Sequence, residues 1–502
     1  MQLTAGPHVI TSVLPEHEDQ ALPALSRAPA GCTLVELRAD RLRPANIGGI
    51  VRRAGRPLVV TLRRVEDGGR FEGSEDERAR ALEQALSAGA AFVDVEWDRP
   101  LAAIRESELG RGRTILSEHG TPCRLEILRA RVREMAALGP AALKVAAAPR
   151  DVDELLALRD LLAEHAREAA APPLAAFGLG RAGASSRLLA PFWGSWATYA
   201  ALEPGAETAA GQLPAAEMLE RYDVLGISAA TRLYALVGSR LARSPSPAMH
   251  LAGYRAAGLD ARYFAIETDD FEAFVRLVEP GRGIGLGGFG VTMPFKQDAA
   301  RRSRAGDDLV RASGCANTVV ASARGFTAYN TDGPAALDCL REHLALRGAR
   351  IVVLGSGGTA RAVAAACGAE GARVDLVARS AERGEEAARA CGAAVAPGLE
   401  GLAWDALVHA TPRGADGERF VDPALLTGRV VLDAVYAARA TALVADARAR
   451  GLAGIEGLDM LAAQAALQVR ILTGFEASRE LMRGAAAAWM RGSGLDAPGS
   501  PP

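Results

Sequence analysis

Two lysines are the residues of this chain whose type most clearly suggests chemistry. Of the 58 lysine and arginine residues, only Lys144 and Lys296 are lysine. Arginine keeps its proton at accessible pH, whereas a buried lysine amine can lose its proton and attack a carbonyl carbon. Lys144 lies in the apolar run 141–147, which is typical of a buried strand, so we expect it to form a Schiff base. The alternative is that the two lysines have no special role and simply remain from a general replacement of lysine by arginine.

Polar side chains stand at the ends of short apolar runs throughout the first half of the chain. The runs are 8–14, 33–37, 57–62, 92–97, 114–117, 141–147, 174–178 and 196–202, with helix-like stretches between most of them. This alternation predicts an α/β fold, a (β/α)8 TIM barrel. Because such barrels act at the carboxyl ends of their strands, the residues there are candidate site residues, although each alone could be solvated or capping. They are Ser12, Glu36, Arg38, Arg63, His119, Lys144, Arg187, Thr208 and Gln212.

The second half combines hydroxyl and amide side chains with one lysine and one aspartate. Ser244, Ser246, Thr292, Lys296, Asn317 and Asp332 lie in short polar segments that follow predicted strands. This pattern indicates a polyol ring held by hydrogen bonds around an acid–base pair, Lys296 with Asp332. The two serines could instead cap the predicted helix 249–257.

A glycine-rich turn at 355–358 follows the predicted strand 350–354 and leads into an alanine-rich helix and a second strand, 373–378. Strand, glycine turn, helix and strand in this order predict a Rossmann-type dinucleotide site. The second strand ends in Ala378-Arg379-Ser380, and a basic end favours the 2'-phosphate of NADP over NAD. We expect Asp375 to lie in mid-strand and to face away from the cofactor.

Composition excludes several other classes of protein. With 502 residues, 49% hydrophobic, the chain is long enough for two to four globular domains. The net charge is −2, and basic residues alternate with acidic ones, so the sequence has no basic cluster of the kind that binds nucleic acid or an acidic membrane. We therefore expect small-molecule partners. The six cysteines lack metal-ligand or disulfide-framework spacing, and we predict no metal. Without a predicted leader or membrane span, we expect a cytoplasmic protein.

The first half resembles the type I 3-dehydroquinate dehydratases. The shared motifs are Glu36-Leu-Arg38-x-Asp40, Arg63 followed by Gly68-Gly69, Ser117-Glu-His119, Lys144-Val-Ala, Gly180-x-x-Gly-x-x-Ser186-Arg187 and Ala210-Gly211-Gln212. The resemblance implies that Lys144 forms an imine with the ring ketone while His119 moves protons. It also implies that Glu36, Arg38, Arg63 and Arg187 hold the substrate. Either Glu66 or Asp67 stands where the family has the carboxylate that orients the histidine. Thr208 replaces a common serine.

Residues 233 to about 488 resemble the shikimate dehydrogenases, which implies an NADP-binding domain inserted into a substrate domain. Carried over, Lys296 and Asp332 form the acid–base pair. The implied substrate contacts are Ser244, Ser246, Thr292, Asn317, Asp332 and Gln464. The implied cofactor contacts are Gly355, Ser356, Gly357, Gly358, Thr359, Ala378, Arg379, Ser380, Ala434, Tyr436 and Gly457. One departure is Gly290, where the family usually has asparagine, and we expect a looser local turn there.

Together the resemblances imply a bifunctional enzyme of the shikimate pathway, which leads to chorismate and the aromatic amino acids. It would dehydrate 3-dehydroquinate to 3-dehydroshikimate and then reduce that product to shikimate with NADPH. The alternatives are an NAD-dependent quinate/shikimate dehydrogenase of catabolism and a catalytically silent regulator that senses the same ligands. The predicted domains are a barrel at 1–222, a linker at 223–232, a substrate domain at 233–334 completed by 465–488, an NADP domain at 335–464 and a disordered tail at 489–502.

Overall fold

The computed structural model describes residues 6–98, 104–228, 230–437 and 439–492. The chain divides into two compact units. One ends at Ala230 and also includes Glu272–Val278; the other holds Thr231–Phe271 and the chain from Glu279 onward. None of the helices in the described ranges has the length and apolar character needed to span a bilayer.

The first unit is built on eight parallel strands. They are β1 (His8–Val13), β2 (Leu34–Arg38), β3 (Leu58–Thr61), β4 (Phe92–Glu96), β5 (Thr114–Pro122), β6 (Ala142–Ala148), β7 (Leu174–Gly178) and β8 (Ala197–Ala201). They pair in the order β7-β6-β5-β4-β3-β2-β1-β8. A backbone hydrogen bond of 2.9 Å from Trp196 N–H to the Leu174 carbonyl brings the entry of β8 beside β7. The predicted TIM barrel is therefore confirmed.

In the described part of this unit, α-helices accompany the strands. They are α1 (Glu18–Ser26), α2 (Pro44–Arg53), α3 (Glu75–Ser87), α4 (Leu125–Ala136), α5 (Leu155–His165), α6 (Gly180–Ala184) and α7 (Ser186–Leu189). Ser74 and Glu77 form a capping box that fixes the start of α3, as the Ser-x-x-Glu spacing favours. Buried Ile10, Val59, Phe92 and Ile115 fill the amino-terminal half of the barrel, so polar side chains converge only near its carboxyl end.

The second unit starts with a six-stranded mixed sheet. Its strands are β9 (Arg232–Gly238), β10 (Ala261–Glu267), β11 (Leu286–Val291), β12 (Ala305–Gly306), β13 (Thr318–Ser322) and β14 (Gly325–Tyr329), in the order β10-β9-β11-β13-β14-β12. The helices along this stretch of the chain are α8 (Ser246–Ala256), α9 (Phe271–Val278), α10 (Lys296–Arg302), α11 (Asp308–Ser313) and α12 (Asp332–Arg341). Of these, α9 belongs to the first unit from Glu272 onward.

A parallel sheet with helices follows. Its elements are β15 (Arg350–Leu354), α13 (Gly358–Ala369), β16 (Arg373–Val377), α14 (Ala381–Cys391), β17 (Ala394–Val395), β18 (Ala406–His409), β19 (Val430–Asp433), α15 (Ala442–Ala449) and β20 (Ala453–Ile455). The strand order β17-β16-β15-β18-β19-β20 reverses direction between β15 and β18. This is the doubly wound Rossmann order, which places a dinucleotide crevice at the reversal.

Two final helices return to the first sheet of the second unit. α16 (Gly457–Thr473) and α17 (Arg479–Gly492) share one buried core with Met249 and Tyr254 of α8. α17 extends four residues into the segment predicted to be disordered, 489–502, which differs from that prediction. The rest of that segment, 493–502, lies outside the described residues.

Candidate active sites

Lys144 of β6 lies inside the carboxyl end of the barrel and is 4% exposed. Its Nζ is 2.9 Å from Asp94 Oδ2 and 3.3 Å from Glu36 Oε1, and it lies 3.9 Å from the centre of the Tyr199 ring. Burial alone would raise the pKa of Asp94, but the charges of Lys144 and Arg63 lower the pKa overall. Lys144 is therefore within ion-pair distance of two buried carboxylates, at the place where a strand-end nucleophile is expected.

His119 of β5 is joined to the same cluster through Arg63. Arg63 Nη1 donates to His119 Nδ1 at 2.6 Å, so the neutral imidazole carries its proton on Nε2. Loss of hydration, followed by the positive charges of Arg63 and Lys144, lowers the pKa of His119 well below its usual value. The ring is thus uncharged at neutral pH, the state that a proton-transfer group needs.

Buried acids pair with Arg63. Its Nη2 is 2.8 Å from Asp94 Oδ1 and its Nη1 is 3.4 Å from Glu96 Oε1. Glu96 also pairs with the fully buried Arg78, and Ser117 Oγ donates to Asp94 Oδ1 at 2.6 Å. None of Asp94, Glu96, Arg78 and Tyr199 was among the sequence candidates. The alternation Asp94-Val-Glu96 at a strand end was the signal that could have identified two of them.

Glu36 anchors the other side of the barrel site. It accepts from Ser12 Oγ at 2.6 Å and from Thr61 Oγ1 at 2.9 Å. Gln212 Nε2 reaches Ser12 Oγ at 3.4 Å, and the Thr208 backbone N–H donates to Gln212 Oε1 at 2.7 Å. The structure thus brings most of the predicted strand-end residues into one hydrogen-bonded group.

Arg38 and Arg187 differ in their partners. Arg38 is held by Asp40, with 2.5 Å between Nη2 and Oδ2. Arg187 is fully buried, and within the described part of the chain no carboxylate pairs with it. It donates to the Tyr199 carbonyl at 3.1 Å, its Nε has no partner, and burial lowers its pKa to about 9. A buried guanidinium of this kind suits an anionic group of a ligand.

The two acids considered as partners of His119 behave differently. Glu66 forms a two-pronged pair with Arg64, at 2.7 and 3.0 Å, on the exposed side of the loop. The histidine's partner Arg63 pairs with Asp94 and Glu96, two carboxylates of β4. Whether Glu66 or Asp67 orients His119 stays a prediction.

Lys296 and Asp332 lie at the first residues of α10 and α12 and form an ion pair. Lys296 Nζ also donates to Thr359 Oγ1 at 2.8 Å, and Thr359 Oγ1 is 3.2 Å from Asp332 Oδ2. Asn317 Nδ2 donates to Asp332 Oδ1 at 2.7 Å. The predicted acid–base pair is therefore in contact, and Thr359 links it to the first turn of the Rossmann helix α13.

Amides and hydroxyls surround this pair. Asn317 Nδ2 donates to Thr331 Oγ1 at 2.9 Å, and Thr331 Oγ1 is 3.3 Å from Gln464 Oε1. Thr331 was not among the sequence candidates. Ser244 Oγ and Ser246 Oγ are 3.1 Å apart, both buried, and α8 begins at Ser246 without a side-chain cap bond.

Gly290 and Thr292 lie at the carboxyl end of β11. Thr292 follows β11 directly and is half-buried. The expectation of a looser turn at Gly290 was wrong, because Gly290 lies within β11. A Cβ there would approach the Tyr263 hydroxyl to 2.3 Å, so the close packing of Tyr263 requires glycine.

The glycine turn after β15 can hold a dinucleotide phosphate. Gly355 has a φ of 132°, and a Cβ on it would lie 2.9 Å from the Ala410 carbonyl oxygen. A Cβ at Gly358 would contact the Lys296 side chain at 2.9 Å, so bare backbone is needed where α13 begins. Backbone N–H groups at such a helix start bind phosphate.

The end of β16 suits NADP. Arg379 follows this strand and is exposed, and Ser380 caps α14. Asp375 is 2.9 Å from Arg350, the first residue of β15, so its carboxylate is engaged toward the amino end of the sheet. Ala434 and Tyr436 follow β19, and Gly457 begins α16. The residues present therefore fit a dinucleotide with a 2'-phosphate.

The fold and the two sites define an α/β enzyme in which a lysine-containing TIM barrel precedes a dinucleotide-dependent reductase. Residues 9–229 match the family model for type I 3-dehydroquinase. Residues 236–319 match the shikimate dehydrogenase substrate binding domain, and 457–487 match the shikimate 5'-dehydrogenase C-terminal domain.

Several curated proteins are similar to this chain. The bifunctional 3-dehydroquinate dehydratase/shikimate dehydrogenase of Arabidopsis thaliana is 26% identical, over 94% of this chain and 83% of the plant protein. Shikimate dehydrogenases (NADP(+)) of Methanosarcina mazei and Halobacterium salinarum are 34% and 39% identical, over 96% and 97% of their lengths and 50% of this chain.

Solved structures are also similar. The Thermus thermophilus shikimate 5-dehydrogenase crystallised with NADP(H) and shikimate is 31% identical, with a TM-score of 0.48, over 51% of this chain and 99% of that one. The dehydroquinate dehydratase and shikimate dehydrogenase of S. pombe is 23% identical, with a TM-score of 0.43, over 96% and 98%. The chain belongs to the shikimate dehydrogenase family and carries a type I 3-dehydroquinase domain ahead of it.

Proposed function

We propose that this chain catalyses two consecutive steps of the shikimate pathway. The barrel dehydrates 3-dehydroquinate to 3-dehydroshikimate, and the second unit reduces that product to shikimate with NADPH. The observation that carries the proposal is the placement of the two lysines. Lys144 lies among the carboxylates Asp94 and Glu36, and Lys296 pairs with Asp332 beside the glycine turn.

In the dehydratase step, Lys144 gives up a proton and its amine adds to the ring ketone. Loss of the carbonyl oxygen as water leaves a protonated imine, which draws electrons from the adjacent carbon. His119 takes the proton of that carbon, giving an enamine. The enamine expels the ring hydroxyl, which leaves as water with a proton from His119. Hydrolysis of the imine then frees Lys144 and the product.

Arg63 couples substrate binding to the proton transfer. Its bond to His119 Nδ1 leaves the imidazole able to donate through Nε2 but unable to accept. When Arg63 turns to an oxygen of the bound substrate, Nδ1 becomes free and His119 can act as a base. Arg187, buried without a carboxylate partner in the described residues, binds the substrate carboxylate.

In the reductase step, NADPH, when bound, would supply the hydride that reduces the ketone carbon of 3-dehydroshikimate. The ketone oxygen then needs a proton, which Lys296 delivers and Asp332 helps to replace. Asn317, Gln464, Ser244, Ser246 and Thr292 bind the ring hydroxyls and carboxylate. Gly355 to Thr359 would hold the pyrophosphate, and Arg379 would pair with the 2'-phosphate.

The alternatives gain no support from the geometry. An NAD-dependent enzyme needs an acid at the ribose hydroxyls, and Asp375 is engaged by Arg350 instead. A regulator without catalytic activity would not need Lys144 paired with Asp94, His119 bonded to Arg63 and Lys296 paired with Asp332. The cytoplasmic location and the absence of nucleic-acid partners stay predictions.

A coupled assay tests the proposal. When 3-dehydroquinate and NADPH are added to the purified chain, absorbance at the reduced nicotinamide band should fall at a rate that depends on both. If 3-dehydroshikimate supports oxidation of NADPH but 3-dehydroquinate does not, the barrel is not a dehydratase. If neither substrate does, the proposal is wrong for both halves.

A further inference from the structure

A buried histidine–aspartate pair lies at the carboxyl ends of β18 and β19. His409 and Asp433 are both fully buried, and 2.8 Å separates His409 Nδ1 from Asp433 Oδ1. On its other side, His409 Nε2 is 2.5 Å from Thr411 Oγ1. The Phe420 ring covers the imidazole at 4.5 Å between ring centres. Neither of these buried groups has a part in the acid–base chemistry described above.

The pair stands beside the dinucleotide crevice. β18 borders the reversal of strand order, where a Rossmann sheet binds its ligand. A Cβ on Gly355 would lie 3.2 Å from Thr411 Cγ2, so Thr411 lies directly against the glycine turn. β15 and β16 form the half that takes the adenine nucleotide, and β18 and β19 belong to the half that takes the nicotinamide nucleotide. The location therefore points to the nicotinamide half of the cofactor.

The hydrogen bonds give the Thr411 hydroxyl a defined direction. The Asp433 carboxylate can only accept, so His409 Nδ1 donates to it. With Nδ1 as the donor to Asp433, Nε2 is the nitrogen that can accept from the Thr411 O–H. The Arg413 backbone N–H donates to Thr411 Oγ1 at 3.3 Å. One lone pair of Thr411 Oγ1 is left for a hydrogen-bond donor in the crevice.

Asp433 also holds the loop that follows β19. Its carboxylate accepts from the Val435 backbone N–H at 3.0 Å and from Thr441 Oγ1 at 2.6 Å. These two bonds fix the segment that contains Ala434 and Tyr436. Asp433 thus links the Thr411 hydroxyl, through His409, to the loop that follows β19.

We propose that His409 is a positioning residue for the nicotinamide half of NADPH. It holds the Thr411 hydroxyl as an acceptor for a donor group of the nicotinamide ribose or carboxamide, while Asp433 fixes the imidazole and the 434–436 segment. The inference rests on the proposed reductase function. It extends the cofactor site from Thr411, which would contact the cofactor, to His409, which contacts Thr411.

Two substitutions of His409 each keep one of its two hydrogen bonds and remove the other. His409→Asn keeps a donor where Nδ1 stands but cannot reach Thr411, whereas His409→Gln reaches Thr411 and loses Asp433. Thr411→Val removes the hydroxyl with little change in shape, and Arg379→Ala serves as the control at the adenine half. For each purified chain, equilibrium binding is measured with NADPH and with adenosine 2',5'-bisphosphate, the adenine half alone, together with the unfolding temperature.

His409→Asn and Thr411→Val should each raise the Kd of NADPH by about three- to tenfold, the effect of one hydrogen bond. Their combination should add little to either alone, because both remove the same contact. Adenosine 2',5'-bisphosphate should bind as in the wild type, whereas Arg379→Ala should weaken both ligands. His409→Gln should retain more NADPH affinity than His409→Asn.

Three results would overturn the inference. One is unchanged NADPH affinity in both His409→Asn and Thr411→Val. Another is an equal loss for NADPH and the bisphosphate, which would show that His409 only supports the fold. The third is full additivity in the double variant. A wild-type chain that binds no NADPH would instead refute the proposed function.

Discussion

Asp94→Asn is the substitution whose effect on the barrel is best defined by the structure. One carboxylate oxygen of Asp94 accepts from Lys144 Nζ at 2.9 Å, and the other accepts from Arg63 Nη2 and Ser117 Oγ. Asparagine keeps the shape but turns one of these acceptors into an N–H₂ donor. That donor then faces either Lys144 or Arg63 in place of a carboxylate oxygen, so one of these two side chains loses its acceptor.

The expected cost follows from the burial of the group. Removing one partner of a buried ion pair typically costs ~3–5 kcal/mol, because the charge left behind has no compensation. For a barrel of this size, each kcal/mol lowers Tm by roughly 2–4 °C, so the unfolding transition of the barrel should fall by roughly 6–20 °C. Displacement of Lys144 and Arg63 should reduce dehydratase kcat/KM on the order of 10²-fold.

The assay is calorimetry together with dehydratase and reductase rates on the same sample. Glu118→Gln is the matched control, since Glu118 is next to His119 but bonds to Trp97 Nε1 at 2.7 Å instead of to the lysine cluster. It should change stability by no more than about 1 kcal/mol. Wild-type dehydratase activity and Tm in Asp94→Asn would refute the view that Asp94 holds the nucleophile and the histidine's partner.

Three further predictions concern the reductase unit. Lys296→Ala should lower reductase kcat by ~10²- to 10⁴-fold with little change in the substrate KM; a raised KM at constant kcat, from steady-state kinetics, would make Lys296 a binding group. Arg379→Ala should lower kcat/KM for NADPH by roughly ten- to a hundredfold and leave NADH nearly unchanged, as competing cofactor titrations would show. Burial lowers the pKa of His250 to about 3, so unfolding of this unit releases a site that binds a proton below pH 6.5. Stability should fall by about 2 kcal/mol from pH 7 to pH 5, and denaturant titrations in which His250→Gln kept the same pH dependence would contradict this.

Much of the architecture could be predicted because strands and helices follow local patterning. Each of the eight apolar runs of the first half contains a strand or its start, and the glycine turn lies between a strand and a helix as expected. The two lysines could be identified because arginine replaces lysine everywhere else. These features depend on residue type and on neighbours in the chain.

The missing site residues depend on register and on strand pairing. Asp94 and Glu96 lie in a run interpreted as a buried strand, and only the closed barrel shows that both point toward Arg63. His409 and Asp433 are 24 residues apart and become partners because β18 and β19 pair in register. Gly290 was placed in a turn, whereas the constraint on it comes from Tyr263, a residue of another strand.

Covalent trapping tests the central claim most directly, namely that the two lysines perform different chemistry. Borohydride added with 3-dehydroquinate or 3-dehydroshikimate should reduce the imine and leave one adduct, which peptide mass spectrometry should locate on Lys144. Lys296, which is paired with Asp332 as a proton donor, should carry none. An adduct on Lys296, or no adduct in a chain that still dehydrates 3-dehydroquinate, would contradict the account.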